Sequence, residues 1–242
     1  MDDVVFAIQT TMLERATNLR FDIELEAPVH EMDDDDVEIE VEAHTGVWRL
    51  RRSDFLAEWD SHAGRGHIRQ APTPYSTDSI LRIVHTLLLA KEGGFLLHAA
   101  SCVRNGRAFL FSGISGAGKT TISRLAPGDA TLLSDEISYI RRDGTGYRAF
   151  GTPFFGELAR PGDNRSAPLG TLFFLEKGPE NKIEEIPKSE ALRKLLRNIL
   201  FFAEDQELVK VIFRSAWEFL ERVPVRRLTF IPDERVWRII HE

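Results

Sequence analysis

The chain of 242 residues is 43% hydrophobic and 29% charged, a mixture that excludes disorder over its whole length. One cysteine, Cys102, excludes an intramolecular disulfide framework and a multi-thiolate zinc cage. No cationic leader opens the sequence and no apolar run approaches the ~20 residues of a bilayer span, so a reduced, cytoplasmic protein without membrane association is expected. Residues 1–50 hold 14 Asp and Glu against three Arg, a balance of −11 that leaves +4 for the rest of a chain of net charge −7. An acidic front repels phosphate backbones, which argues against nucleic acid as a partner. It can attract a basic peptide, but a solvated loop and strand face is the plainer reading.

Through about residue 70 the hydrophobic pattern has period two, the mark of half-buried strands. Phe21, Ile23 and Leu25 alternate with Asp22, Glu24 and Glu26; Val37, Ile39 and Val41 alternate with Glu38, Glu40 and Glu42. Asp33–Asp36 reads as a connecting loop, and Trp48-Arg49-Leu50-Arg51 as a further strand. A small acidic β-rich module over residues 1–75 is expected. Residues 71–76 (Ala-Pro-Thr-Pro-Tyr-Ser) form a linker in this reading, because each proline disfavours helix at the residue before it. A helix follows from Thr77 to Lys91, with Ile80, Ile83, Val84, Leu87 and Leu88 on one stripe, and Gly93-Gly94 stops it. From Phe95 the pattern becomes strand, loop, helix, strand. The tail from Pro187 reads as helices over 188–202 and 205–222, a strand at Val223–Phe230 and a short helix near Pro232.

The chemistry begins after the apolar strand Phe109-Leu110-Phe111. Gly113-Ile-Ser-Gly116-Ala-Gly118-Lys119-Thr120 is a complete G-x-x-x-x-G-K-[ST] pattern, with a strand before it and a helix start after it. Glycines 113, 116 and 118 let successive N–H groups, those of Ser115 and Ala117 among them, converge on phosphate oxygens. The helix start adds the positive end of its dipole. Lys119 supplies a point charge to the β- and γ-phosphates, the Thr120 hydroxyl suits Mg²⁺, and Thr121 can donate to the α-phosphate. The pattern specifies a nucleotide polyphosphate and leaves the reaction open.

A second apolar run, Ala130–Leu133, ends in Ser134-Asp135-Glu136. Carboxylates at a strand end beside a phosphate loop can hold Mg²⁺ or take a proton from an attacking hydroxyl; a solvated strand end is the alternative. His98, in the apolar strand Phe95–Ala100, serves equally as a satisfied core residue or as a neighbour of the loop. Asn181-Lys182-Ile183-Glu184 imitates a guanine reader but ends in Glu and lies away from a strand tip, a coincidence in this reading.

Taken together, Leu97-His98-Ala99-Ala100, the phosphate loop, Leu133-Ser134-Asp135-Glu136, Gly151-Thr152-Pro153-Phe154 and Val223-Pro224-Val225 resemble the catalytic domain of HPr kinase/phosphorylase. The likeness is greater to HPr-kinase-related proteins associated with ribosomally made peptides, including lasso-peptide serine kinases, and runs from residue 76 to the C-terminus. It implies an α/β fold: a P-loop HPr-kinase-like catalytic domain over 76–242 behind the small N-terminal β-rich module. It also implies that Asp135 is the base on a serine hydroxyl, with His98 beside it and Glu136 standing where the family has a second aspartate. Glu157 is the nearest candidate for the family's downstream metal-holding acid, and Arg160 and Arg165 are candidate phosphate ligands. The signature by which HPr kinases grip HPr has no match in residues 187–242, so neither HPr as acceptor nor the reverse reaction is carried over.

The expectation is an ATP- and Mg²⁺-dependent kinase acting on a serine of a peptide or protein, with the homo-oligomers of the family as a further possibility. Two other readings stand beside it. One is a nucleotide-binding regulatory module or weak ATPase; the other is a kinase of a small hydroxylated metabolite such as free serine.

Overall fold

The structure, a computed structural model, describes residues 19–26, 39–203 and 205–240. The expected Asp33–Asp36 loop and the Val37-Glu38 part of the second strand lie outside them. The chain divides into two compact units, Met1–Val84 with Phe202–Asp205, and His85–Phe201 with Gln206–Glu242.

The first unit holds a five-stranded sheet of β1 (Arg20–Leu25), β2 (Glu40–His44), β3 (Val47–Arg52), β4 (Phe55–Asp60) and β5 (Arg65–Gln70), in the order β1-β5-β4-β3-β2. Only β1 and β5 run parallel. Period two puts Trp48, Leu50, Phe55, Ala57, Trp59 and Ile68 on one buried face. The other face is laced with cross-strand pairs: Arg49 to Glu58 at 2.7 Å, Arg51 to Glu40 at 3.9 Å, Arg69 to Glu26 at 3.7 Å. Glu26, Glu40 and Glu58 thus each pair with an arginine of the same sheet.

Helix α1 (Pro74–Lys91) begins inside the expected linker. The local signal is a cap: the Thr73 hydroxyl accepts the Tyr75 N–H at 3.3 Å, and Pro74 takes the first helical position, where a missing N–H costs nothing. The first turn is anchored by buried Asp54, which accepts two bonds from Arg52 (2.5 and 2.8 Å) and one from the Ser76 hydroxyl (2.5 Å). Burial alone would raise the Asp54 carboxyl; Arg52 and Ser76 outweigh it and hold the group below its ordinary value. The boundary between the compact units falls within α1, between Val84 and His85.

The second unit is built on a larger sheet: β6 (Phe95–Arg104), β7 (Arg107–Ser112), β8 (Thr131–Ser134), β9 (Ile137–Asp143), β10 (Gly146–Phe150), β11 (Ser166–Lys177), β12 (Lys182–Glu185), β13 (Ile199–Leu200) and β14 (Val225–Phe230). Pairing runs β10-β9-β6-β7-β11-β14-β12, and β10 also pairs with β11, so five strands close on themselves. Its long strands make this closure: β6 pairs with β9 at Phe95–His98 and with β7 from Ala99 onward, and β11 leaves β10 for β7 and β14. β7, β11 and β14 are mutually parallel neighbours.

Both faces of β7 and of the second half of β11 are buried, which explains the apolar runs Ala108–Phe111 and Leu172–Leu175. Leu110, Leu172 and Phe174 face a core shared with α3 (Lys188–Asn198) and α4 (Gln206–Arg222), through Leu195, Ile212 and Phe219. Phe109, Phe111, Phe173 and Leu175 face a second core with Ile122 of α2 (Lys119–Arg124), Phe230 and Trp237. The helix expected to run to 202 ends at Asn198, because Ile199 and Leu200 pair with Leu97 and Leu96 of β6. The last expected helix is a 3₁₀ turn, Glu234–Arg238, capped by the Asp233 carboxylate. Among the described residues no helix is long and apolar enough to cross a membrane.

Candidate functional site

Strand register brings the chemistry-bearing segments together. On β6, His98 pairs with Ile137, just after Asp135-Glu136, while its neighbour Ala99 pairs with Ser112, just before Gly113. His98 therefore sits where β6 changes partners, between the glycine-rich loop and the acidic turn. The buried Ser112 hydroxyl donates to the His98 carbonyl at 2.9 Å and ties the two strands at that point.

The loop leaves β7 and curls. Gly116 and Gly118 have φ of +74° and +110°, in the left-handed region that side chains disfavour, and the Ala117 N–H donates to the Ile114 carbonyl at 3.1 Å. The Lys119 ammonium folds back onto the Gly113 carbonyl at 3.0 Å. Burial pulls Lys119 below the ordinary lysine value, against the opposing pull of Glu136 and Glu157. α2 has only six residues, so a dipole contribution at its start is small compared with the loop amides and the lysine.

The acidic turn is shaped by Ser134, whose buried hydroxyl accepts the N–H of Glu136 (3.2 Å) and of Ile137 (3.0 Å). Asp135 is only 3% exposed, and its two oxygens accept the N–H groups of Gly156 and Leu158, each at 2.9 Å. Those amides belong to residues 151–163, which lie along β8. Thr152 donates its N–H to the Leu133 carbonyl and its hydroxyl to the Ile137 carbonyl, and Asp163 donates to Leu132. Gly162 is required by close approach, since a Cβ there would land on the Leu133 carbonyl.

One hollow of about 240 Å³ results, lined by His98, Ser115, Gly116, Gly118, Lys119, Thr120, Thr121, Asp135, Glu136, Gly156 and Glu157. Two loop residues expected at the site do not line it. Gly113 lies against the Ala117 methyl and Leu175 at the end of β7, and the Ala117 side chain is buried in the core beneath the loop. Arg160 and Arg165 do not line it either and are exposed. Glu157 also reaches the exposed Arg124 of α2 at 3.9 Å. Asn181 is spent on structure, its side-chain oxygen accepting the Ile231 N–H at 2.8 Å, while Lys182 pairs with Glu184. Sequence reasoning missed the two amides that hold Asp135. The signal available was Gly156, together with the Gly-Thr-Pro-Phe anchor before it. A larger hollow, about 710 Å³, lies along β2 and β3 in the first unit and shares no residue with this site.

The second unit is thus a mixed α/β domain whose glycine-rich loop and acidic turn meet beside a histidine at the ends of adjoining strands. Residues 75–241 match the family model described as SynChlorMet cassette protein ScmC, more than half of the chain, and the chain belongs to that family. No curated protein matches it. A solved structure of the Hpr(Ser) kinase/phosphatase from Coxiella burnetii aligns with 50% of this chain and 94% of its own, at 14% identity and a TM-score of 0.29. That likeness is too slight to bear on fold or function, and the family shown is ScmC rather than HPr kinase.

Proposed function

We propose that the protein is a phosphotransferase that binds ATP with Mg²⁺ on the loop Gly113–Thr120 and passes the γ-phosphoryl group to a serine-type hydroxyl of a peptide or protein. The observation that carries this reading is the single hollow shared by the loop, His98, Asp135, Glu136 and Glu157. Its volume is below the ~300–1,000 Å³ of typical whole-ligand pockets, which suits a polyphosphate with the base outside.

Phosphoryl transfer needs alignment and charge neutralisation more than covalent chemistry. In this reading the amides of the loop take the phosphate oxygens, and Lys119 exchanges the Gly113 carbonyl for them. The Thr120 hydroxyl and the Glu136 and Glu157 carboxylates are hard oxygen donors, the type that holds Mg²⁺ together with substrate phosphates. When bound, Mg²⁺ supplies neutralisation of charge on the phosphate oxygens.

Asp135 keeps a second lone pair on each oxygen after accepting the two amides, so it can orient the acceptor hydroxyl and take its proton. The oxygen–phosphorus bond to the acceptor forms as the bond from the γ-phosphorus to the β–γ bridging oxygen breaks, and ADP leaves. His98 lies beside this pair and positions it.

Incubation with radiolabelled ATP, Mg²⁺ and candidate peptides tests the proposal. Label on a peptide hydroxyl supports it. Label released only as inorganic phosphate points to the regulatory ATPase, and label on free serine alone points to the small-metabolite kinase.

A further inference from the structure

We infer that Phe230 and Trp237, more than a hundred positions beyond the loop, are positioning residues that set the affinity of the nucleotide site; the inference rests on the proposed nucleotide binding. Gly118 is the most extreme of the loop's backbone positions, at φ +110°, and a Cβ built on it would lie 2.6 Å from Cζ of Phe230. The Phe230 ring, at the end of β14, therefore fills the space directly against the residue before Lys119. It shares a core with Ala117, Leu175 and Trp237, so the loop rests on an aromatic floor supplied by the C-terminal segment.

Trp237 acts on the helix that follows. The last carbonyls of a helix have no partner within it, and α2 is so short that Ile122 is among them. The Trp237 Nε1–H donates to that carbonyl at 3.2 Å, in a buried setting. Its indole stands edge-on to Phe111 of β7, with ring centroids 5.5 Å apart. Its own carbonyl accepts from Arg104 of β6 at 2.9 Å, and Arg104 also pairs with Asp129, in the connection after α2, at 3.0 Å. The 3₁₀ turn is thus bonded to β6 and α2 and packed on β7, the elements that flank the loop. Ile122 in turn donates its N–H to the Gly118 carbonyl at 2.9 Å, so the tie reaches the loop through one further bond.

A glycine-rich loop carries large backbone freedom, and holding it in its binding shape before the ligand arrives raises affinity. Loosening the floor should therefore weaken nucleotide binding without touching the acceptor. Titration of the full chain with Mg-ATP tests this. Trp237→Phe keeps an aromatic ring against Phe111 and removes the N–H; it should weaken ATP binding by roughly three- to tenfold, the worth of one buried hydrogen bond. Phe230→Leu should weaken it at least as much. In both, the ATP KM should rise while the acceptor KM stays at the wild-type value.

Phe219→Leu, in the other core against Phe95 and Tyr147, is the stability-matched control and should bind ATP like the wild type. Trp237 is one of four tryptophans, and the change in emission on adding Mg-ATP should vanish in Trp237→Phe. Folded Trp237→Phe and Phe230→Leu proteins with wild-type ATP affinity would overturn the inference, as would an equal loss in Phe219→Leu. A wild-type protein that binds no nucleotide overturns the proposed function itself, and this inference with it.

Discussion

The two sheets of this molecule use the same strand periodicity to opposite ends. In the first unit one face is buried and the other is a lattice of Arg–Glu and Arg–Asp pairs in solvent. In the second, β7 and β11 are covered on both faces, and the ends of adjoining strands carry the loop and the acidic turn. A reactive group has to be held to a fraction of an ångström, and only the doubly covered sheet offers support from every side. The charged face offers many ionisable groups and no fixed geometry. Number of charges is a poor guide to chemistry; their enclosure is a better one.

Four experiments would break or sharpen that contrast. The largest effect is expected at the enclosed carboxylate: Asp135→Asn should lower phosphoryl transfer by about 10²–10⁴-fold while ATP affinity changes little, as read by single-turnover transfer and equilibrium binding. Full activity in that variant would remove Asp135 from the mechanism. Next, Asp54 is, among the described residues, the one enclosed ion-pair partner of the first unit, with a side chain wholly buried against an Arg52 that is 18% exposed. Asp54→Ala should cost about 3–5 kcal/mol in urea denaturation, since it strands the guanidinium beneath α1. A loss below 1 kcal/mol would show that the pair is solvated after all.

The third concerns His85, half-buried on α1 and edge-on to Tyr139 and Phe154, where loss of water around the ring pulls its imidazole from 6.5 to about 4. Below pH 6.5 the unfolded chain takes up a proton that the folded chain refuses. Stability that is complete above pH 6.5 is therefore lost as pH falls toward 4, by about 3 kcal/mol. His85→Phe should flatten that part of the pH–stability curve, and an unchanged curve would count against the burial. The smallest effect belongs to the outer face of the first sheet. Removing both Arg49 and Glu58 should change stability by less than about 1 kcal/mol and leave nucleotide affinity alone. A larger change there would erase the distinction between the sheets.

Much of the site was legible because its signals are local. The glycine spacing of residues 113–118, the lysine after it and the carboxylates after Leu133 each declare their chemistry within a few residues. The errors were of another kind. The prolines suggest a linker at residues 71–76, whereas Thr73 caps a helix that begins at Pro74, a signal equally local. The helix end at Asn198 and the hairpin of β9 and β10, for which the sequence reading assigns no element, have no such local signal. Ile199–Leu200 is a strand only because β6 offers it an edge, and the hairpin's place depends on pairing with β6 and β11.

What the residues determined alone was the existence of most elements and the spacing of the glycine-rich loop, since periodicity, caps and glycine patterns are written in near neighbours. Tertiary structure decided which groups meet. The partner change at His98, the amides of Gly156 and Leu158 on Asp135, and the Phe230 ring against Gly118 all join positions far apart in the chain. Such meetings depend on strand register and closure of the sheet, which are settled by the packing of the whole unit rather than by any one segment.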